Sequence, residues 1–183
     1  MSGLLILVVG PSGSGKDTLL AGAATALQHD RRFVFARRVV TRAAAYEDHD
    51  TATVAEFLAR QACGDFAITW TAHDLYYGIP AAPLGDLDQG RIVVANVSRA
   101  VVAQVESSYP TKTVEITAPD VMRAARLERR GRETTPAISA RLTRQVSLNS
   151  RHVHRIVNDS TIDAGVTALV DLLRSFRPLL PEG

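Results

Sequence analysis

The sequence holds a single cysteine, Cys63, among its 183 residues. One thiol excludes an internal disulfide framework and sets the expectation of a reducing compartment, with the cytoplasm as the simplest address. Long apolar runs are missing too. The longest, residues 4–9, is too short to span a bilayer and no cleavable signal precedes it, so no membrane partner is expected. Aromatic residues make up only 5% and the formal net charge is only +2. Few aromatics interleave with the cations and no basic run occurs, which argues against nucleic acid as a partner. His29, His152 and His154 show no ligand spacing with Cys63, so zinc is not expected. No repeat, low-complexity tract or shift of composition marks a domain boundary. The sequence leaves the oligomeric state open.

Hydrophobic residues reach 46%, enough to build a core. The cations are almost all arginine, lysine occurring only at Lys16 and Lys112. Arginine grips phosphate bidentately, so the bias suits an anionic ligand, although it equally fits a compositional preference of the genome. Short β-branched runs alternate with helical patterns, which predicts an α/β fold with a central parallel sheet flanked by helices. Strands are expected at residues 4–9, 33–40, 66–71, 91–96, 113–116 and 155–157. Helices are expected at 16–28, 53–62, 98–108, 120–130 and 163–176. Thr53 and Glu56 have the spacing of a capping box, which places a helix start between them.

Gly10, Pro11, Ser12, Gly13, Ser14, Gly15 and Lys16 follow a buried strand and open a helix, the setting of a phosphate-binding loop. Glycines permit positive φ and let backbone N–H groups converge on phosphate oxygens, while Lys16 reaches the β- and γ-phosphates. The helix N-terminus adds partial positive charge. After the lysine, where such loops usually carry serine or threonine for Mg2+, stand Asp17 and Thr18. Asp17 either binds the metal, directly or through water, or favours the helix start by its charge.

With Thr41-Arg42, Trp70, the run His73 to Gly78, Arg126 to Gly131 and Ile156 to Asp159, this loop resembles the guanylate kinase family over nearly the whole chain. The resemblance implies one domain with a core at 1–37, 89–119 and 152–183. It also implies an acceptor-binding subdomain near 38–88 and an arginine-bearing lid near 120–151. It implies that Arg42 and Tyr77 hold an acceptor phosphate and that Asn158 sits near the adenine of ATP. Arg126, Arg130 and Arg141 would close over the transferred phosphoryl group, whereas Arg129 reads as a solvated face pairing with Glu128 or Glu133. Chemically the set is coherent. An attacking phosphate oxygen is already anionic at neutral pH, so catalysis reduces to aligning two polyanions and neutralising their charge.

The acceptor side departs from guanylate kinases. Thr69 stands where a glutamate would accept from guanine, Ile79 replaces a serine, Ala45 an arginine and Asn96 an aspartate. Arg38 replaces a small hydroxyl residue. On an extended strand residues 38, 40 and 42 share a face, which would bring Arg38 into the pocket of Arg42. With Gly15-Lys16-Asp17, Arg37-Arg38, Glu47-Asp48-His49 and Asn96 followed by Ser98-Arg99-Ala100, the pattern resembles the ribose 1,5-bisphosphate phosphokinases of phosphonate breakdown. That resemblance implies a phosphorylated sugar as the small-molecule partner and phosphoribosyl diphosphate as product. Arg38, His49, His73 or Arg99 would then meet the 5-phosphate. Two other readings stay open: a divergent guanylate kinase, and a guanylate-kinase-like interaction module without catalysis.

Overall fold

The computed structural model describes residues 3–42, 49–72, 74–129 and 147–177. Strand β1 (Leu4–Val9) is buried along its whole length, as a strand covered on both faces must be. Its alternate side chains divide between two cores. Leu4, Ile6 and Val8 meet Leu19, Ala23 and Leu27 of α1 (Lys16–Leu27) and Leu169, Val170 and Leu173 of a C-terminal helix. Leu5, Leu7 and Val9 meet Leu84, Leu87, Val101, Val102 and Val105 on the other face.

Five parallel strands form the main sheet in the order β2-β7-β1-β8-β9, with β2 at Phe33–Ala36, β7 at Ile92–Asn96, β8 at Thr111–Thr117 and β9 at Val153–Val157. Helices α3 (Val102–Glu106), α4 (Asp120–Arg129) and α5 (Ile162–Ser175) complete the layers. The α/β class expected from the alternation is the class observed. Both the P-loop and the first residues of α4 lie at the carboxyl ends of parallel strands, where open α/β sheets bind ligands.

Four elements differ from expectation. Residues 33–40 form two strands in two sheets, because β2 pairs with β7 while β3 (Val39–Val40) pairs antiparallel with β6 (Leu75–Pro80). The chain leaves the main sheet at Arg37 and Arg38, joining a second sheet of order β4-β3-β6-β5, with β4 at Asp50–Thr51 and β5 at Phe66–Ala72. The helix expected at 98–108 is a 3-10 turn, Arg99–Val101, followed by the short α3. A strand at Leu75–Pro80 and a 3-10 helix at Ala82–Gln89 also lie within stretches read only as motif or loop.

Helix α2 (Val54–Ala62) begins where the capping box predicts. The Thr53 hydroxyl accepts from the Glu56 N–H at 3.2 Å, and the Thr53 N–H donates to the Glu56 carboxylate at 2.7 Å. The Thr53 backbone and then its hydroxyl hold the Glu56 carboxyl below the ordinary glutamate value of 4.5. A carboxyl lowered in the folded state stabilises in full above its ordinary value of 4.5, and that stability is lost as pH falls through the lower folded-state value. The thermal midpoint of Glu56→Gln is therefore expected below wild type at neutral pH, the gap closing in acid. A gap that persisted well below pH 4.5 would remove the carboxylate from the explanation.

Candidate active site

Gly15 caps α1 in the left-handed region at φ 86°, and Gly13 lies at φ 80°. Neither position has room for a side chain. A Cβ on Gly13 would meet the Arg123 carbonyl oxygen at 2.8 Å, and one on Gly15 would strike the Asn158 amide. The loop is therefore clamped from behind. Arg123, buried on α4, donates from Nε to the Ser12 carbonyl at 3.0 Å and from Nη1 to Asp120 at 2.7 Å. Arg126, one turn on, donates to the carbonyls of Gly13 and Ser14 at 3.4 and 3.3 Å and to that of Asn158 at 3.1 Å. Asn158, buried at the end of β9, donates its amide to the Ser14 carbonyl at 2.8 Å.

At the front of the loop, Lys16 opens α1 with its ammonium 3.9 Å from Asp17. Asp17 joins the donor side to the acceptor side. Its Oδ1 accepts from Arg38 Nη2 at 3.1 Å and from Asn96 Nδ2 at 2.7 Å. Arg38 is 9% exposed, and its ion pair turns it toward the P-loop helix. The expected common face of 38, 40 and 42 is not observed, because β3 spans only two residues, both buried, and Arg42 follows in a bend. A cleft beside this junction is lined by Leu20, Ala21, Ala24, Phe35, Ala36 and Val94 as well as Asp17, Arg37, Arg38 and Asn96.

The second sheet carries the residues expected to meet the acceptor. Thr41 bonds through its N–H to the Tyr76 carbonyl at 3.1 Å and receives the Tyr76 N–H on its hydroxyl at 2.9 Å. This pairing sets Arg42 beside the Tyr76-Tyr77 strand. Tyr77 is buried and stacks on its cross-strand partner Trp70, ring centres 5.2 Å apart and 7° from parallel. Thr69 accepts from Gln61 at 3.4 Å. Ile79, expected to face the acceptor base, is instead fully buried in the core with Ile68, Leu84 and Leu87. Ile79 shares a face of β6 with Tyr77 but lies two residues further on, opposite Ile68 and against Leu84 and Leu87. His49 is 1% exposed and its carbonyl accepts from Arg37 at 3.4 Å. Ser98 caps the turn that carries Arg99, accepting from the Ala100 N–H. His73, Arg130 and Arg141 lie outside the described residues.

Arg123 is the site residue that sequence reasoning passed over. Its signal was present: 123, 126 and 130 follow the three-and-four spacing that aligns side chains on one helical face.

The arrangement suits a polyphosphate. Loop amides, a helix N-terminus and Lys16 converge at one end of α1, and a hard carboxylate oxygen adjoins them. Asp17 fits a Mg2+ ion as a hard oxygen donor, its Oδ1 being engaged with Arg38 and Asn96 while Oδ2 lies 3.9 Å from the Lys16 ammonium. Among the described residues no group of three or more His, Cys, Asp or Glu side chains is placed to hold a metal, and no helix is long and apolar enough to cross a membrane.

No family model matches the chain. It is 46% identical over 183 residues to the ribose 1,5-bisphosphate phosphokinase of Acidiphilium cryptum, covering 98% of each. Its identity to the enzyme of that name from Methylobacterium radiotolerans is 44% over 177 residues, covering 96% of this chain and 99% of that one. It is also 44% identical over 179 residues to the bifunctional ribose 1,5-bisphosphokinase-thymidine phosphorylase of Cupriavidus necator, but spans only 30% of that protein's length. The guanylate kinase of Anaplasma phagocytophilum superposes with a TM-score of 0.62 at 17% identity, over 95% of this chain and 86% of that one. At that identity the likeness shows the fold, a P-loop kinase fold of guanylate kinase type.

Proposed function

The chain belongs to the ribose 1,5-bisphosphate phosphokinase family, and from that premise we propose that it transfers the terminal phosphoryl group of ATP to the 1-phosphate of ribose 1,5-bisphosphate. The products are 5-phospho-α-D-ribose 1-diphosphate and ADP. The 1-phosphate oxygen forms the new bond to the γ-phosphorus as the bond to the β,γ-bridging oxygen breaks. The attacking oxygen is anionic, so no general base is needed.

The observation that carries the reading is the junction at Asp17, where Arg38 and Asn96 of the acceptor side bind the first side chain beyond the P-loop lysine. It ties the two polyanion sites to one helix start, so their separation is fixed by covalent and hydrogen-bonded structure. Lys16 and the loop amides would hold the donor phosphates, Arg42 and Tyr77 one acceptor phosphate, and Arg38, His49, His73 or Arg99 the other. Arg126, expected over the transferred phosphoryl group with Arg130 and Arg141, instead donates to the carbonyls of Gly13, Ser14 and Asn158 and braces the loop. Asn158 would lie near the adenine, and Arg130 and Arg141 would meet the charge developing on the transferred group. Asp17, with Thr18 beside it, would face a Mg2+ ion carried with the nucleotide, and that ion would supply neutralisation of phosphate charge. In this scheme residues 38–88 carry the acceptor site and 120–151 the lid.

GMP fits less well. Guanine N1–H and its amine need acceptors, yet Thr69 already receives Gln61 and Ile79 lies in the core. Two unsatisfied donors at about 1–3 kcal/mol each amount to discrimination on the order of a thousandfold. The test is a panel of acceptors with ATP, read by ADP release and product identity. Turnover of the bisphosphate with little or none of GMP is the expected result. Equal use of GMP would make the chain a divergent guanylate kinase, and no turnover of any acceptor would favour an interaction module.

A further inference from the structure

We propose that Arg123 is a positioning residue for the donor phosphates, aiming the amide of Gly13 into the cradle from behind the loop. The proposal rests on the donor half of the function proposed above. A trans peptide sets its C=O and the following N–H in opposite directions. The Ser12 carbonyl points back to Arg123 Nε at 3.0 Å, so the Gly13 N–H points forward. The Ser14 carbonyl is likewise held back, by Asn158 at 2.8 Å and Arg126 at 3.3 Å, which turns the Gly15 N–H forward. Only one group holds the Ser12 carbonyl among the described residues, so the Gly13 amide depends on Arg123 alone.

Burial and chemistry favour this role over that of an ordinary helix-surface arginine. Arg123 is 7% exposed, while its partner Asp120 has a side chain that is 80% exposed. A buried guanidinium with a single solvated counter-ion is a costly choice where a leucine would pack. The planar fork explains it, because one edge meets a carbonyl and another a carboxylate, which fixes the angle of the peptide. Asp120 sets the fork, and a side chain at Gly13 would run into the α4 backbone at Arg123, so only glycine lets the loop lie this close. The start of α4 is thereby coupled to the phosphate cradle.

The test compares wild type, Arg123→Met, Arg123→Lys and Asp120→Asn in the full chain. A non-hydrolysable ATP analogue is titrated by calorimetry, and the Gly13 amide is followed by nitrogen-proton NMR. Wild type is expected to bind the analogue with a downfield shift of the Gly13 proton. In Arg123→Met that shift should collapse and binding weaken by about tenfold or more, with the acceptor KM little changed. Arg123→Lys keeps the charge but not the fork, and should recover only part of the shift. Asp120→Asn removes an exposed charge, so it will fold, and should move the Gly13 resonance in the same direction by less. A purely structural arginine would lower the melting temperature yet leave the Gly13 shift and the affinity of the folded fraction at wild-type values. That result in Arg123→Met, or in Arg123→Lys and Asp120→Asn should the methionine variant not fold, overturns the proposal. Wild type that failed to bind the analogue would overturn the donor site itself.

Discussion

Lys16→Ala is expected to fold as wild type and to lose phosphoryl transfer by about a hundred- to a thousandfold, as removal of one preorganised charge from a transition state does. Lys16 is the first residue of α1, its side chain 14% exposed, and contributes nothing to either hydrophobic core. Helix start and loop geometry depend on Gly13 and Gly15 rather than on the ammonium, so the circular dichroism spectrum should be unchanged. Among the described residues, the other lysine, Lys112, lies on β8, and Arg126 is engaged with carbonyls behind the loop. The measurement is single-turnover transfer from ATP, paired with the spectrum. A folded variant with near wild-type turnover would remove the P-loop from the chemistry.

The second large effect concerns Arg38. Arg38→Ser is expected to lower kcat/KM for ribose 1,5-bisphosphate by ten- to a hundredfold, from the loss of a charge-assisted hydrogen bond worth about 1.5–3 kcal/mol, while ATP affinity changes little. The ion pair with Asp17 sharpens the test. If Arg38 served only to anchor Asp17, the substitution would cost nothing further in an Asp17→Asn background. If it also meets the acceptor, the cost persists there. A double-mutant cycle separates the two. Untouched sugar turnover in Arg38→Ser would sink the acceptor role outright.

Much of the donor side was legible in the chain. The phosphate loop is seven consecutive residues between a strand and a helix, and each requirement on it is local. The capping box of α2 is local for the same reason, its two partners being three residues apart. The acceptor side was harder to read. Residues 33–40 look like one β-branched run, yet the run breaks at Arg37 and Arg38 because its halves find partners in different sheets. Ile79 looks like a pocket substitution by motif position, yet pairing with Ile68 and packing against Leu84 and Leu87 put it in the core. Each misreading concerns a side chain whose direction is set by a neighbouring strand.

The sequence by itself determined what depends on one turn or one strand: the glycine loop, the capped start of α2 and the doubly covered β1. Only the tertiary structure decided which charges meet. Asp17 binds Arg38 from 21 residues away and Asn96 from 79, and Arg123 reaches the Ser12 carbonyl across 111. Hydrophobic spacing repeats every two or 3.6 residues and so survives in the sequence as a pattern. A salt bridge across a sheet has no period. Its partners are chosen by strand order and by where each strand ends, and those are settled by the packing of the whole domain.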